Sequence, residues 1–277
     1  MVDKKNIEEV IKDAWRTYLT KGEMPAHMES PWFGRRVFRP LIKRMPRSPR
    51  CAVCYVPFEG IGGKFAKAFW NIEASKLNPH LCNMCENFAT EYHGGVELEI
   101  SMLFVDVRGS TSMAEKTSPE KYSKLINRFY RAATEEFYKS YGFVEKLLGD
   151  EVAGFFVPGF AGPEHAKVAV ETGKKIMKAM GYGASSKPWI PVGLGVNTGL
   201  AYVGSVNSEG GVSNIAMLGD SVNTTARLTS LAAAGEMLIS DATRQAARLK
   251  TDGMESRTLM LKGKSQAVTA WALKIGK

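Results

Sequence analysis

The chain has 277 residues, 44% of them hydrophobic and 23% charged, with a formal net charge of +9. That composition excludes a largely disordered protein and leaves room for a domain of ordinary size plus a smaller module. The positive balance suits an anionic partner, whether a polyphosphate, a nucleic acid or an acidic membrane surface, without choosing among them.

At the amino terminus, Ile7, Val10, Ile11, Ala14, Trp15, Tyr18 and Leu19 recur at three-to-four spacing and predict a short helix over residues 1 to about 20. Asp3, Glu8 and Glu9 oppose a signal peptide here, and no apolar run reaches the ~18 residues of a membrane span, so a cytoplasmic protein is expected. From Arg35 to Arg50 the chain carries Arg35, Arg36, Arg39, Lys43, Arg44, Arg47 and Arg50 without an acid, broken by Pro40, Pro46 and Pro49. This reads as an irregular basic connector. Trp32, Phe33 and Phe38 interleave with it, which suits a peripheral membrane or regulatory-protein contact; specific nucleic-acid binding is not expected.

Four cysteines follow in two pairs, Cys51-Ala52-Val53-Cys54 and Cys82-Asn83-Met84-Cys85, separated by 27 residues. Without a secretory signal, such knuckles read as a tetrahedral structural zinc site. Unligated or redox-active thiols and an iron-sulfur cluster are the alternatives. His80 and His93 are close in sequence and are candidates for substitute or supporting groups. The organisation expected is therefore a helix and connector over 1–50, a four-cysteine zinc module over 51–94, and a larger domain over 95–277.

In that domain a strand at about 97–107 precedes a helix near 119–140, opened by Thr117-Ser118-Pro119-Glu120 with the threonine as its capping residue. A hairpin with its tip at Gly149-Asp150, a helix near 163–180, and a strand pair at Ile190–Val196 and Leu200–Val206 come next. A helix from about Asp220 to Ala234 and short strands near 237–240, 256–262 and 267–274 complete it, with a helical turn near 241–249. Strand-helix-strand units with antiparallel partners predict an α+β sheet with helices on one face.

The chemistry concentrates in three segments. Asp106 ends the apolar run Ile100-Ser101-Met102-Leu103-Phe104-Val105, and Asp150 sits at the hairpin tip. Two acids at adjacent strand ends suit Mg²⁺ or Mn²⁺, which take hard oxygen ligands alongside substrate phosphates. On the helix after Gly219, Asn223 and Arg227 are four apart and share a face, so an amide and a guanidinium project together.

Phe104-Val105-Asp106-Val107-Arg108-Gly109-Ser110-Thr111, Lys146-Leu147-Leu148-Gly149-Asp150 and Leu218-Gly219-Asp220-Ser221-Val222-Asn223, with Arg227, stand in the order and spacing of the class III nucleotide cyclases. The chain resembles that family over roughly residues 96–277, with Gly195-Val196-Asn197-Thr198-Gly199 and Leu261-Lys262-Gly263 fitting lesser motifs. The resemblance implies a ferredoxin-like, palm-type βαββαβ catalytic domain. It also implies two divalent cations held by Asp106 and Asp150 with Val107, and Arg227 and Asn223 acting on the phosphoryl group and ribose. The backbone from Val107 through Arg108, Gly109 and Ser110 to Thr111 would cradle phosphates, and Lys262 would meet the outgoing pyrophosphate.

In this family, lysine three residues before the hairpin glycine selects adenine and glutamate selects guanine. Here Lys146 occupies that position, while its partner position holds Ala216, which cannot hydrogen-bond. The loss of one such bond is worth roughly 1–3 kcal/mol, enough to weaken discrimination against GTP. The alternation pattern puts Lys146 on the strand face of Val144 and Leu148. Because the family builds each site across a dimer and this chain carries the whole residue set, the resemblance implies a symmetric homodimer with ATP as substrate. A guanylate or relaxed-specificity cyclase, a catalytically weak nucleotide-binding scaffold and a zinc-dependent nucleic-acid binder are the competing readings.

Overall fold

The computed structural model describes residues 4–23, 49–75, 78–183, 187–207, 213–260 and 267–275. They fall into two compact units, one formed by residues 1–97 with 158–160 and 202–216, the other by 98–157, 161–201 and 217–277.

In the first unit, helix α1 (Lys4–Lys21) forms where the apolar periodicity predicts it, but only its second half is buried. Ala14, Trp15, Tyr18 and Leu19 are covered while Ile7 and Val10 stay exposed. The cysteine module holds two helices, α2 (Gly60–Trp70) and α3 (Asn83–Glu91). Phe88 of α3 meets Trp15 and Tyr18 with ring centroids 5.0 Å away in each case, and Tyr18 also meets Phe160 at 5.3 Å. The Trp15 indole N–H donates to the Tyr92 carbonyl at 2.9 Å, so the polar edge of this aromatic cluster is satisfied where it is buried.

The second unit carries most of the sheet. The elements from the module onward are β1 (Gly95–Val107), α4 (Ser110–Lys116), α5 (Pro119–Lys139), β2 (Phe143–Leu148), β3 (Glu151–Phe156), a single turn α6 (Pro158–Ala161) and α7 (His165–Ala179). They continue with β4 (Val192–Asn207), β5 (Ser213–Leu218), α8 (Asp220–Leu231), β6 (Glu236–Ser240), α9 (Asp241–Ala246), β7 (Glu255–Leu259) and β8 (Val268–Lys274). The strand order is β2-β3-β1-β4-β6-β8-β7, with β5 paired to β4. The βαββαβ succession from β1 to β4 in that order is the expected ferredoxin-like α+β core.

Helices cover both faces rather than one. Leu103, Val105 and Val107 of β1 share a core with Ile126, Phe129 and Phe137 of α5 and Val170, Ile176 and Met177 of α7. On β6, Met237 and Ile239 join that core, while Leu238 between them packs with Leu228 and Ala232 at the end of α8. Alternate residues point to opposite faces, so α8 lies across the sheet from α5 and α7. This explains why β1 is buried without interruption from Ile100 to Val105.

Two further expectations are corrected. Residues 190–206 do not fold back on themselves: β4 is one continuous strand, and β5 supplies it with a further neighbour. Gly199, between the two expected strands, has no left-handed φ; its missing Cβ makes room for Ser221, whose Oγ would lie 2.5 Å from an added carbon. Helix α5 is capped by Ser118, which accepts from the Lys121 N–H, and not by Thr117, which closes α4.

Gly193 and Gly195 serve the same purpose as Gly199. A Cβ on Gly195 would fall 2.5 Å from the Thr229 backbone nitrogen and 2.4 Å from its hydroxyl, and one on Gly193 would fall 2.7 Å from the Ala232 carbonyl. The glycine track lets α8 sit against bare backbone. Gly195→Ala should therefore destabilise the fold by about 1–3 kcal/mol, read as a lower denaturant midpoint with an unchanged slope.

Candidate active site

Asp106 stands one residue from the end of β1, paired across the ladder with Glu151, and Asp150 occupies the turn that joins β2 to β3. The Val107 N–H donates to the Asp150 carbonyl at 3.1 Å, pinning the hairpin tip to the strand end. From the other side, the Tyr130 hydroxyl on α5 donates to the Gly149 carbonyl at 2.7 Å. Gly149 has φ 62°, the left-handed conformation that a two-residue hairpin turn needs.

These constraints gather acids in one half-buried place. Burial pushes the Asp106 carboxyl above its ordinary pKa; the Arg108 guanidinium pulls it down and the Asp150 charge pushes it up again. Glu151 is raised by burial and then by the Asp106 charge. The phenols of Tyr122 and Tyr130 are raised as well, by burial first and by Asp150 next. Surplus negative charge beside β1 is met most directly by Arg108, whose guanidinium contacts Asp106. The same guanidinium donates to the carbonyls of Ser230 and Ala232 at the end of α8, at 3.1 and 3.4 Å.

After Arg108 the chain turns at Gly109, φ 71°, which caps α4; Ser110 and Thr111 form the first turn of that helix. Asn223 and Arg227 share a face of α8 and both side chains are exposed, while Thr224, Thr225, Leu228 and Thr229 make the buried face. That outward face is fixed from beneath, since Asn197 on β4 donates to the Ser221 carbonyl at 3.0 Å and Thr225 reaches the Met102 sulfur at 3.6 Å. Among the described residues, Asn223 and Arg227 make no side-chain hydrogen bond with Asp106 or Asp150.

Lys146 is exposed on β2, and its strand does not alternate simply. A bulge shifts the register so that Val144 pairs with Gly154 but Lys146 with Ala153, which puts Lys146 on the face opposite Val144. Glu145, the extra residue, turns its carboxylate to the Met217 N–H at 3.2 Å. Burial raises its pKa, an effect the Met217 N–H opposes. Ala216, the chain neighbour of Met217, is half-buried on β5. Lys262, Lys264 and the connector up to residue 48, with Trp32 to Phe38, lie outside the described residues.

In the first unit the sulfurs of Cys51, Cys54, Cys82 and Cys85 all lie within 4.8 Å of one another and none forms a disulfide. The first knuckle is closed by the Tyr55 N–H donating to the Cys51 carbonyl at 2.9 Å, and Cys82 caps α3 by accepting from the Cys85 N–H at 3.4 Å. Burial opposes ionisation of Cys51, yet hydrogen bonds from the other three thiols hold it well below the usual thiol range. Cys54 and Cys85 are pushed the other way, because they donate to their neighbours. Neither His80 nor His93 belongs to the four-sulfur group.

The model of the adenylate and guanylate cyclase catalytic domain matches residues 96–274. The chain belongs to this family. A guanylyl cyclase, Cya2, is 29% identical in its solved structure, which overlays with TM-score 0.59 over 66% of this chain and 96% of that one. The adenylyl cyclase CyaB from P. aeruginosa is 26% identical, with TM-score 0.57 over 66% and 97% of the two chains. Among curated relatives, an adenylate cyclase of Anabaena cylindrica is 26% identical over 136 residues, 48% of this chain and 27% of its own length. A terminal-differentiation-specific adenylate cyclase of Dictyostelium discoideum is 29% identical over 183 residues, 62% of this chain and 8% of its own length. The chain spans less than a third of the length of either curated relative.

Three features of the site are not given by the motifs. Tyr130 reads in sequence only as one more member of the apolar face of α5. The bulge at Glu145 has no local signature, and the motif that holds Arg108 implies a role for its backbone and none for its side chain. Tyr130→Phe should speed hydrogen exchange at residues 147–151 and lower stability by about 1 kcal/mol, the ordinary worth of one hydrogen bond, without unfolding the sheet.

Proposed function

We propose that this cyclase domain is an adenylate cyclase, converting ATP to 3′,5′-cyclic AMP and pyrophosphate at the interface of a symmetric homodimer. The observation that carries the reading is the convergence of Asp106 and Asp150 at one strand end, while Asn223 and Arg227 face outward on α8 and, among the described residues, make no side-chain hydrogen bond with those acids. A site that needs all four is completed by a second copy, each chain lending its acids to one site and its amide and guanidinium to the other.

The donor set fits Mg²⁺ or Mn²⁺: two carboxylates and the Val107 carbonyl offer hard oxygens in a place already short of positive charge. When bound, two such cations lower the pKa of the ribose 3′-hydroxyl and neutralise the triphosphate. Asp106 and Asp150 hold them in place. Asn223 orients the ribose, and Arg227 meets charge gathering on the α-phosphoryl group as the 3′-oxygen attacks in line and pyrophosphate leaves. The N–H groups after Gly109 face the phosphates, and Lys262 receives the leaving group.

Adenine over guanine is supported by the bulge. Guanine presents N–H donors and would want a carboxylate, but Glu145 is engaged by the Met217 N–H, leaving the Lys146 ammonium as the group on offer. A second reading, relaxed use of GTP, is favoured by Ala216. The purified chain with Mn²⁺ should yield cyclic AMP from ATP several-fold faster than cyclic GMP from GTP. Asp106→Asn or Asp150→Asn should cost on the order of 10³ in turnover with the dimer intact by light scattering. Failure of wild-type protein to cyclise either nucleotide would end the proposal.

The pH dependence follows from Asp106. Its raised pKa means the proton is kept at pH values where an ordinary aspartate, near ~4, has lost it, and a cation binds only the ionised form. Mn²⁺ affinity, read by electron paramagnetic resonance, should fall as pH drops, with a midpoint above that ordinary value.

For residues 51–94 we propose a structural zinc site. The four sulfurs lie close enough to share one ion, and three of the four cysteines are buried. Elemental analysis should find one zinc per chain, and Cys82→Ser should lose it and lower the melting temperature. Redox-active thiols would instead give a metal-free chain with a reducible disulfide.

A further inference from the structure

We infer that Arg108 is a positioning residue that ties the metal-holding acid of one active site to the helix that serves the other. This rests on the dimeric reading above and deepens it. The guanidinium bridges two elements: on one side the Asp106 carboxylate, on the other the Ser230 and Ala232 carbonyls, three and five residues beyond Arg227. The Arg108 backbone N–H is held by the Pro191 carbonyl at 2.9 Å, so the root of the side chain is fixed as well as its tip.

Two further points favour a strut over a surface ion pair. The arginine Nε is buried without a hydrogen-bond partner, a cost accepted to keep the fork where it is. The carbonyls it caps belong to the C-terminal end of α8, where a cation is favoured by the helix dipole, and only a planar, multi-donor group spans both partners. Asp150 and Glu151 are the other acids beside Asp106; Lys146 offsets charge at Glu151 but, among the described residues, makes no hydrogen bond or ion pair with Asp106 or α8, so Arg108 is the bridge.

If each chain lends Asp106 to one site and Asn223 with Arg227 to the other, movement at one carboxylate reaches the opposite site through Arg108. Arg108→Gln should tighten Mn²⁺ binding several-fold, because a competing cation beside Asp106 is gone, while slowing turnover at least about tenfold because α8 is no longer held. A merely structural role would weaken both together. Hydrogen exchange at the last turn of α8 should quicken in Arg108→Gln, and Arg108→Lys, which keeps the charge but not the fork, should restore the Mn²⁺ affinity without restoring slow exchange.

The decisive arm is a mixed dimer. Pairing an Asp150→Asn chain with an Arg227→Ala chain leaves one working site, with acids from the second chain and α8 from the first. Arg108→Gln placed on the Asp150→Asn chain acts on that site only through α8, and should still lower its turnover at least about fivefold. Unchanged turnover there, or unchanged exchange at α8, overturns the strut. A wild-type chain that cyclises no nucleotide refutes the cyclase reading instead, and the exchange measurement then decides the strut alone.

Discussion

The molecule is organised around a repulsion. Asp106 and Asp150 are brought together by a main-chain bond from Val107 and a hairpin clamped by Tyr130, and burial already disfavours charge on Asp106. Left to themselves, two carboxylates so placed would move apart or take up a proton. The backbone does not let them move, and the Arg108 guanidinium offsets part of the charge. A site held together against its own electrostatics is one that gains from a divalent cation, and catalysis by positioning needs that kind of rigidity.

The same rigidity appears where α8 packs on the sheet. Glycines at 193, 195 and 199 remove the side chains that would hold α8 off β4, and buried threonines on the inner face of the helix take up the contact. The helix is thereby fixed in rotation as well as position, so that Asn223 and Arg227 have one direction to point. Neither reaches the acids of its own chain among the described residues. On the reading proposed above, sheet and helix carry two half-sites, and a second copy completes each of them.

What the sequence disclosed follows from which interactions are local. The apolar stripe of α5, the strand ending in Asp106, the hairpin tip at Gly149 and the two cysteine knuckles each rest on spacing within a few residues, and each is found where it was read. The strand pair expected over 190–206 is one strand instead, and the glycine at 199 serves to relieve a clash with Ser221, a contact made through the fold and not through neighbouring sequence. The bulge at Glu145 and the reach of Arg108 to Ser230 depend on partners 72 and 122 residues away, a separation that no local pattern encodes. Those long-range contacts are the ones that orient the strand carrying Lys146 and the acid pair.

The amino-terminal unit poses a different physical problem. Between residues 51 and 94, Ile61, Phe65, Phe69 and Trp70 of α2 are exposed, so this stretch buries few large side chains of its own. A segment of that size lacks the core to hold its shape unaided and needs a staple. Its covered aromatic, Phe88, packs on Trp15 and Tyr18 of α1, and the Tyr18 hydroxyl donates to the Cys85 carbonyl at 3.4 Å. Helix α1 is thus seated on the second cysteine knuckle itself. Whatever fixes the geometry of Cys82 and Cys85 also fixes the surface that α1 recognises, so the ordering of the amino-terminal helix is tied to the four sulfurs by direct contact.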